Sequence, residues 1–214
     1  MPGAAPAAEA ASQKKSLHAS ERDTPRVAEL RREWVERVRK VPAKKLVFVD
    51  ESGATTGMTR THGRAPPNAR VAGAVPHGHW KVLTMLGAVR LGGMVSGACI
   101  EAATDTEIFR CFVRRALVPV LRRGDVVVWD NLGAHRAADL TESVRAAGAD
   151  VLPLPPYSPD FSPIEPGWSK VKQHLRSAEA RTPEALRKAG ADALATITAA
   201  DTEGWFRHCG YAVR

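Results

Sequence analysis

The sequence predicts an α/β fold in which a mixed five-stranded sheet is flanked by helices, and three observations carry that prediction. Two stretches, "LVFVD" at 46–50 and "DVVVWD" at 125–130, are continuously apolar, as strands covered on both faces are. Between them "KVLTMLGAVR" and "GMVSGACIE" meet at Gly92-Gly93, the pattern of an antiparallel hairpin. Beyond residue 105 helical and strand periodicities alternate, which is the order of parallel strands joined by helices.

Taken in order, residues 1–24 are rich in Ala, Ser and Pro without periodicity and read as a disordered arm. Residues 25–45 read as a linker helix, opened by Pro25 and carrying Val27, Leu30, Trp34 and Val38 at helical spacing. After the first strand, a Gly-, Pro- and Arg-rich stretch at 51–79 suits a long hairpin or an exposed loop. Thr104 and Glu107 form a T-x-x-E capping box for a helix with Ile108, Phe112, Leu117 and Val120 facing inward, ending near Gly124. "RAADLTESVRAAG" is a helix closed by Gly148, and "ADVLPLP" a short fifth strand. "PYSPDFSP" is a Pro-rich turn before a helix with Ile164, Trp168, Val171 and Leu175 on one face. Thr182-Pro183 opens a further helix, and a short terminal segment closes the chain.

The 214 residues carry 31 Lys and Arg against 23 Asp and Glu, a formal charge of +8 that favours a polyanionic partner, nucleic acid first. Cys99, Cys111 and Cys209 are odd in number, widely spaced and free of any C-x-x-C pair, so neither a disulfide framework nor a zinc site is expected and a reducing cytoplasm suits them. No secretory signal and no membrane span is expected.

Two acids end the apolar strands. Asp50 follows "LVFV" and Asp130 follows "VVVW", and a sheet sets the ends of neighbouring strands side by side, so both are expected at one rim. Glu165 is the third candidate. Each has a plainer reading: Asp130-Asn131 as a turn or helix cap, and Ser162 with Glu165 as an S-x-x-E capping box behind Pro163. Three converging carboxylates would repel one another without a counter-charge, so convergence predicts Mg²⁺ or Mn²⁺, two ions in the arrangement that serves in-line phosphoryl displacement.

"VFVDESG", "VVVWDNLGAHR" and "LPPYSPDFSPIEPGWSKVK" together resemble the signature blocks of DDE transposases of the bacterial insertion-sequence family six-thirty, relatives of the mariner elements. Asp130 and Glu165 are separated by 34 residues, and the resemblance runs from Leu46 to Tyr211, including "RTHGRAP" and "HCGY". It implies an RNase H-like catalytic domain over 46–214, with Asp50, Asp130 and Glu165 as the metal-binding triad. It also implies cleavage of double-stranded DNA at element ends, strand transfer to target DNA, a homodimer on DNA and a nucleoid location. Members carry helix-turn-helix modules, whereas the 45 residues before "LVFVD" hold one convincing helix. The module is therefore expected from an upstream frame, or the chain acts as a non-catalytic DNA-binding or interaction protein derived from a transposase.

Further residues are candidates for DNA contact. Arg60, Arg64 and Arg70 in the Gly/Pro-rich loop suit a phosphate backbone or plain solubility. Asn131, His135 and Arg136 follow the second Asp, with orienting, capping or phosphate roles open. Lys172 and Arg176 lie on the Glu165 face of their helix, beside phosphate or solvent. Glu51 points away from Asp50 by strand parity, and Trp129 and Trp168 read as core.

Overall fold

The computed structural model describes residues 18–78, 80–102, 105–131 and 138–213. Its five strands are β1 (Leu46–Thr55), β2 (Val82–Arg90), β3 (Gly93–Ile100), β4 (Val126–Val128) and β5 (Asp150–Val151). They lie in the order β3-β2-β1-β4-β5, antiparallel across the hairpin side and parallel from β1 through β4 to β5. The last two strands are shorter than their apolar stretches. Backbone bonds from Leu152 N to Val127 O and from Leu154 N to Trp129 O nevertheless carry the pairing onward, at 2.9 and 2.8 Å.

Helices cover both faces, as the unbroken apolar runs of β1 and β4 require. Against one face, Leu46 and Phe48 of β1 pack with α1 (Pro25–Val38), α4 (Ile164–Ala178), α5 (Pro183–Ala195) and α6 (Ala199–His208). Against the other, Val47 and Val49 pack with α2 (Thr106–Phe112) and α3 (Ala138–Ala146). Trp34 and Val38 of α1 are buried in the first core, so the segment between 25 and 38 is bound to the sheet, and each such apolar side chain contributes about 1.5–3 kcal/mol.

Several local expectations change. The cap of α2 is Asp105, whose carboxylate accepts from Ile108 N at 2.8 Å; the expected cap Thr104 lies outside the described residues. Past Phe112 the helix widens into a π turn at Val113–Leu117 and tightens into a 3-10 turn at Val118–Val120, so α-helix does not reach Gly124. Pro119 within that turn lacks the amide an α-helix needs. The terminal segment contains the helix α6, opened by a capping box in which Thr198 and Asp201 satisfy each other's backbone amides. The arm expected to be irregular to residue 24 lies outside the described residues up to 17, and Ser20–Asp23 form a 3-10 turn.

The stretch between β1 and β2 is an exposed, irregular loop, not a hairpin of its own strands. Its base is closed by Thr56 N bonding Lys81 O and by Arg181, which donates to the carbonyls of Thr56 and Met58 at 3.1 and 2.8 Å.

Candidate active site

Asp50 comes from the middle of β1, not from its end. β1 keeps pairing with β2 as far as Thr55, so the expectation that Asp50 directly follows its strand is corrected. What ends there is the other neighbour: Leu46, Val47 and Phe48 pair with Val126, Val127 and Val128, and β4 then stops. Two residues further in this parallel register, Asp130 stands level with Asp50. Asp50 shares strand parity with Phe48 and so faces α4, whereas Glu51 takes the parity of Val49.

Trp168 of α4 meets it there. The ring is buried in the core, as expected, and its indole N–H also donates to Asp50 Oδ2 at 2.8 Å. Gly87, the cross-strand partner of Asp50, makes the approach possible, because a Cβ at that position would lie 2.9 Å from the Trp168 ring. Gly87→Ala is therefore expected to force the indole off its place and destabilise the fold by about 1–3 kcal/mol. A urea unfolding midpoint equal to that of the parent protein would show that the ring has slack.

Glu165 stands exposed in the first turn of α4. The capping-box reading of this residue is not what the structure contains: the helix has no side-chain cap, and only the backbone bond from Glu165 N to Ser162 O is made, at 3.1 Å. Its carboxylate faces a cavity of about 430 Å³ that Asp50, Asp130 and Asn131 also line, with the segment from Leu154 to Pro159 completing much of the wall. The Asn131 side chain donates to Leu154 O and ties the tip after β4 to the segment that follows β5.

The acids feel one another. Burial, then repulsion from Glu165, pushes Asp50 up to about 7, against the opposing effect of the Trp168 N–H. Partial burial raises Glu165; the Lys172 ammonium acts against this, and Asp130 adds to it. Each shift favours the neutral acid in the absence of a counter-charge.

Three hard oxygen donors around one cavity are the donor chemistry of Mg²⁺ or Mn²⁺. Among the described residues no three Asp, Glu, His or Cys side chains stand close enough to hold one ion jointly. Asp50 is engaged by Trp168, and like-charged carboxylates repel one another without a counter-charge. The set fits a hard dication by its chemistry and its location, and a shared ion would require these side chains to rotate toward each other.

The wall formed by "PYSPDF" is braced from a distant part of the chain. Arg31 of α1 donates to Asp160 through both terminal nitrogens, at 3.0 and 2.7 Å, to Ser158 Oγ at 2.6 Å and to Tyr157 O at 3.5 Å. Its guanidinium lies 4.1 Å from the centre of the Phe161 ring, which stacks on Trp34 at 5.1 Å. Arg22 reaches Asp160 as well, and Tyr211 donates to Phe161 O. Nothing local to Arg31 announces this role, since its partners lie more than 120 residues along the chain.

The remaining candidates divide. Lys172 is half-buried on α4 and acts electrostatically on Glu165, as its spacing suggests, while Arg176 is half-buried one turn further on. Arg60, Arg64 and Arg70 are exposed on the long loop and do not line the cavity. His135 and Arg136 lie outside the described residues.

A protein-family model described as DDE superfamily endonuclease matches residues 45–187. Among curated proteins, the transposable element Tcb2 transposase of Caenorhabditis briggsae is 29% identical over 104 residues, 44% of this chain and 38% of the relative. Among solved structures, the mariner Mos1 paired-end complex with Mg is similar with a TM-score of 0.72 and 17% identity, over 95% of this chain and 63% of that one. The Mos1 strand transfer complex gives 0.70 and 18%, over 94% and 62%. The catalytic domain of Mos1 mariner transposase gives 0.56 and 16%, over 92% and 91%. This chain thus spans well under half of the curated relative and about three fifths of the longer Mos1 chains. The shared architecture is the RNase H-like fold, with the same mixed sheet between layers of helices.

Proposed function

The chain belongs to the DDE superfamily endonucleases, and from that membership we propose that it is the catalytic core of a transposase that cuts DNA phosphodiesters and transfers the freed strands with divalent cations at Asp50, Asp130 and Glu165. One observation carries the reading: the parallel register sets Asp50 level with Asp130, across a cavity that Glu165 enters uncapped from α4. When bound, Mg²⁺ or Mn²⁺, two ions in this reading, would neutralise the acids, activate the attacking water or sugar hydroxyl and stabilise the leaving oxygen.

The protein's own residues prepare the place. Trp168 fixes the orientation of Asp50 through a donor that favours its charged form, and the Asn131 bond to Leu154 holds the Asp130 tip against the segment after β5. The stiff entrance of α4 carries Glu165, while Lys172 supplies positive charge near the entering phosphate. Relatives crystallised with Mg and with Mn support the choice of cation. The partner in this reading is double-stranded DNA, both element end and target, which the family, the similarity to transposase strand transfer and paired-end complexes and the charge of +8 support. In this reading the chain works as a homodimer on DNA, in the nucleoid, with recognition of the ends contributed by a helix-turn-helix module. No helix among the described residues is long and apolar enough to cross a membrane.

The direct test is nicking of supercoiled plasmid DNA by the purified chain. Conversion to the open circle is expected with Mg²⁺ or Mn²⁺ and is expected to stop when the cations are chelated. Salt-sensitive DNA binding with neither nicking nor cation binding would leave the non-catalytic reading in its place.

A further inference from the structure

We propose that Tyr157 positions the substrate by stacking its ring on the nucleobase beside the phosphodiester held at the carboxylate cavity. This rests on the reading of that cavity as the place of the scissile phosphate. Tyr157 lines the cavity with Asp50, Asp130 and Glu165, yet 48% of the residue is exposed. Among the described residues its ring packs on no other ring. At the mouth of a charged cavity this ring presents a flat apolar face beside polar groups, the arrangement that suits a ligand with both a charged group and a flat apolar surface. In a nucleic acid the only such surface is the base, and stacking on it tolerates any sequence because every base has a π-face.

The backbone gives a second, independent indication. Tyr157 has φ +54°, the left-handed region that bulky side chains avoid. Strain of this kind persists only where the surroundings over-determine it, and here they do. Pro155, Pro156 and Pro159 restrict the chain on both sides. Ser158 Oγ donates back to Pro156 O at 2.9 Å, spanning Tyr157, and Arg31 locks Ser158 and the Tyr157 carbonyl from the other side. If this turn served only to direct the chain into α4, glycine would make it without strain. The conformation instead fixes the backbone from which the ring projects at the cavity mouth, so the main chain there need not be ordered when a base arrives.

Photo-crosslinking tests this without requiring turnover. The whole chain would be bound to a nicked duplex carrying iododeoxyuridine beside the nick, with Ca²⁺ in place of Mg²⁺, and adducts mapped by peptide mass spectrometry. The expected adduct is on Tyr157. Tyr157→Phe keeps it, and Tyr157→Gly lowers its yield about tenfold or more, while thermal unfolding stays at or above the parental midpoint because the strain is relieved. In the nicking assay Tyr157→Gly is expected to raise KM roughly tenfold to a hundredfold with kcat nearly unchanged, since stacking made equally in the bound and transition states acts on binding. An adduct confined to other residues, an undiminished yield in Tyr157→Gly, or no adduct at all overturns the proposal. An adduct on Tyr157 in a chain that never nicks DNA would instead refute the catalytic reading and leave the stacking site standing.

Discussion

Replacing Asp130 by alanine is expected to lower Mg²⁺-dependent DNA nicking at least about a thousandfold, roughly 4 kcal/mol of transition-state stabilisation, while the fold survives. The size follows from what the carboxylate would do. It lies just past β4, the strand next to that of Asp50, and faces the same cavity as Glu165, so its loss removes one third of the donor set and leaves the cations without an anchor on the β4 side. Survival of the fold follows from where Asp130 sits, beyond the end of β4, whereas the apolar burial there is made by Val127 and Val128 of the strand and by Trp129 after it. Glu165→Gln should act in the same direction, because it keeps shape and removes charge. The measurements are nicking rates at saturating Mg²⁺ beside circular dichroism of each variant. A variant that nicks at the parental rate removes Asp130 from the mechanism; lost activity with lost structure would instead give Asp130 a folding role.

The parts of this site that were legible in the sequence are those that depend on local pattern and strand parity. "LVFV" and "VVVW" are short, unbroken, Val-rich apolar runs of the kind that doubly covered strands show, and an acid after each is visible without coordinates. That Asp50 and Asp130 are level depends on which strands are neighbours, and here the order β2-β1-β4 makes them so. Glu165 was ambiguous for a physical reason: Ser162-Pro163 before it satisfies the pattern of a capping box, and only the observed absence of a side-chain cap releases the carboxylate toward the cavity. Thr198 and Asp201 carry the same kind of pattern, and there the box does form and opens α6. A capping pattern states what the side chains are able to do; packing decides whether they do it.

What was not legible is long-range. Trp168 has the spacing of a core residue and is one, and nothing in "EPGWSK" tells that its N–H will point at an acid 118 residues earlier. Gly87 in a strand signals close approach of something, without saying what. Arg31 sits on a helix whose apolar stripe explains the helix completely, so its grip on Ser158 and Asp160 had no separate signal. These three residues act by shaping the surroundings of the acids, and such roles arise only once the chain has closed on itself.

That shaping has a thermodynamic consequence: Asp50→Asn is expected to make the cation-free protein more stable near neutral pH while abolishing nicking. The Asp50 carboxyl is held at about 7 in the folded chain against 3.8 ordinarily, chiefly by burial and then by Glu165. A folded pKa above the unfolded one means that the native state retains a proton the unfolded chain has already released. The resulting penalty is absent below pH about 4, grows as the pH rises toward 7 and is constant above it. At about 1.36 kcal/mol per pH unit it reaches roughly 2–4 kcal/mol, the range allowing for water that enters the cavity. Asparagine keeps an oxygen to accept from Trp168 and carries no charge, so it escapes the penalty. Urea unfolding with chelator present should therefore show the variant ahead of the parent at pH about 8 and the two nearly equal at pH about 4. Added Mg²⁺ should reverse the order at the higher pH, because a cation bound to the native acids stabilises the parent by mass action and finds a weaker site in the variant. Equal stability of the two proteins at both pH values, with or without Mg²⁺, would mean that Asp50 is well solvated and that the cavity does not hold its acids in tension.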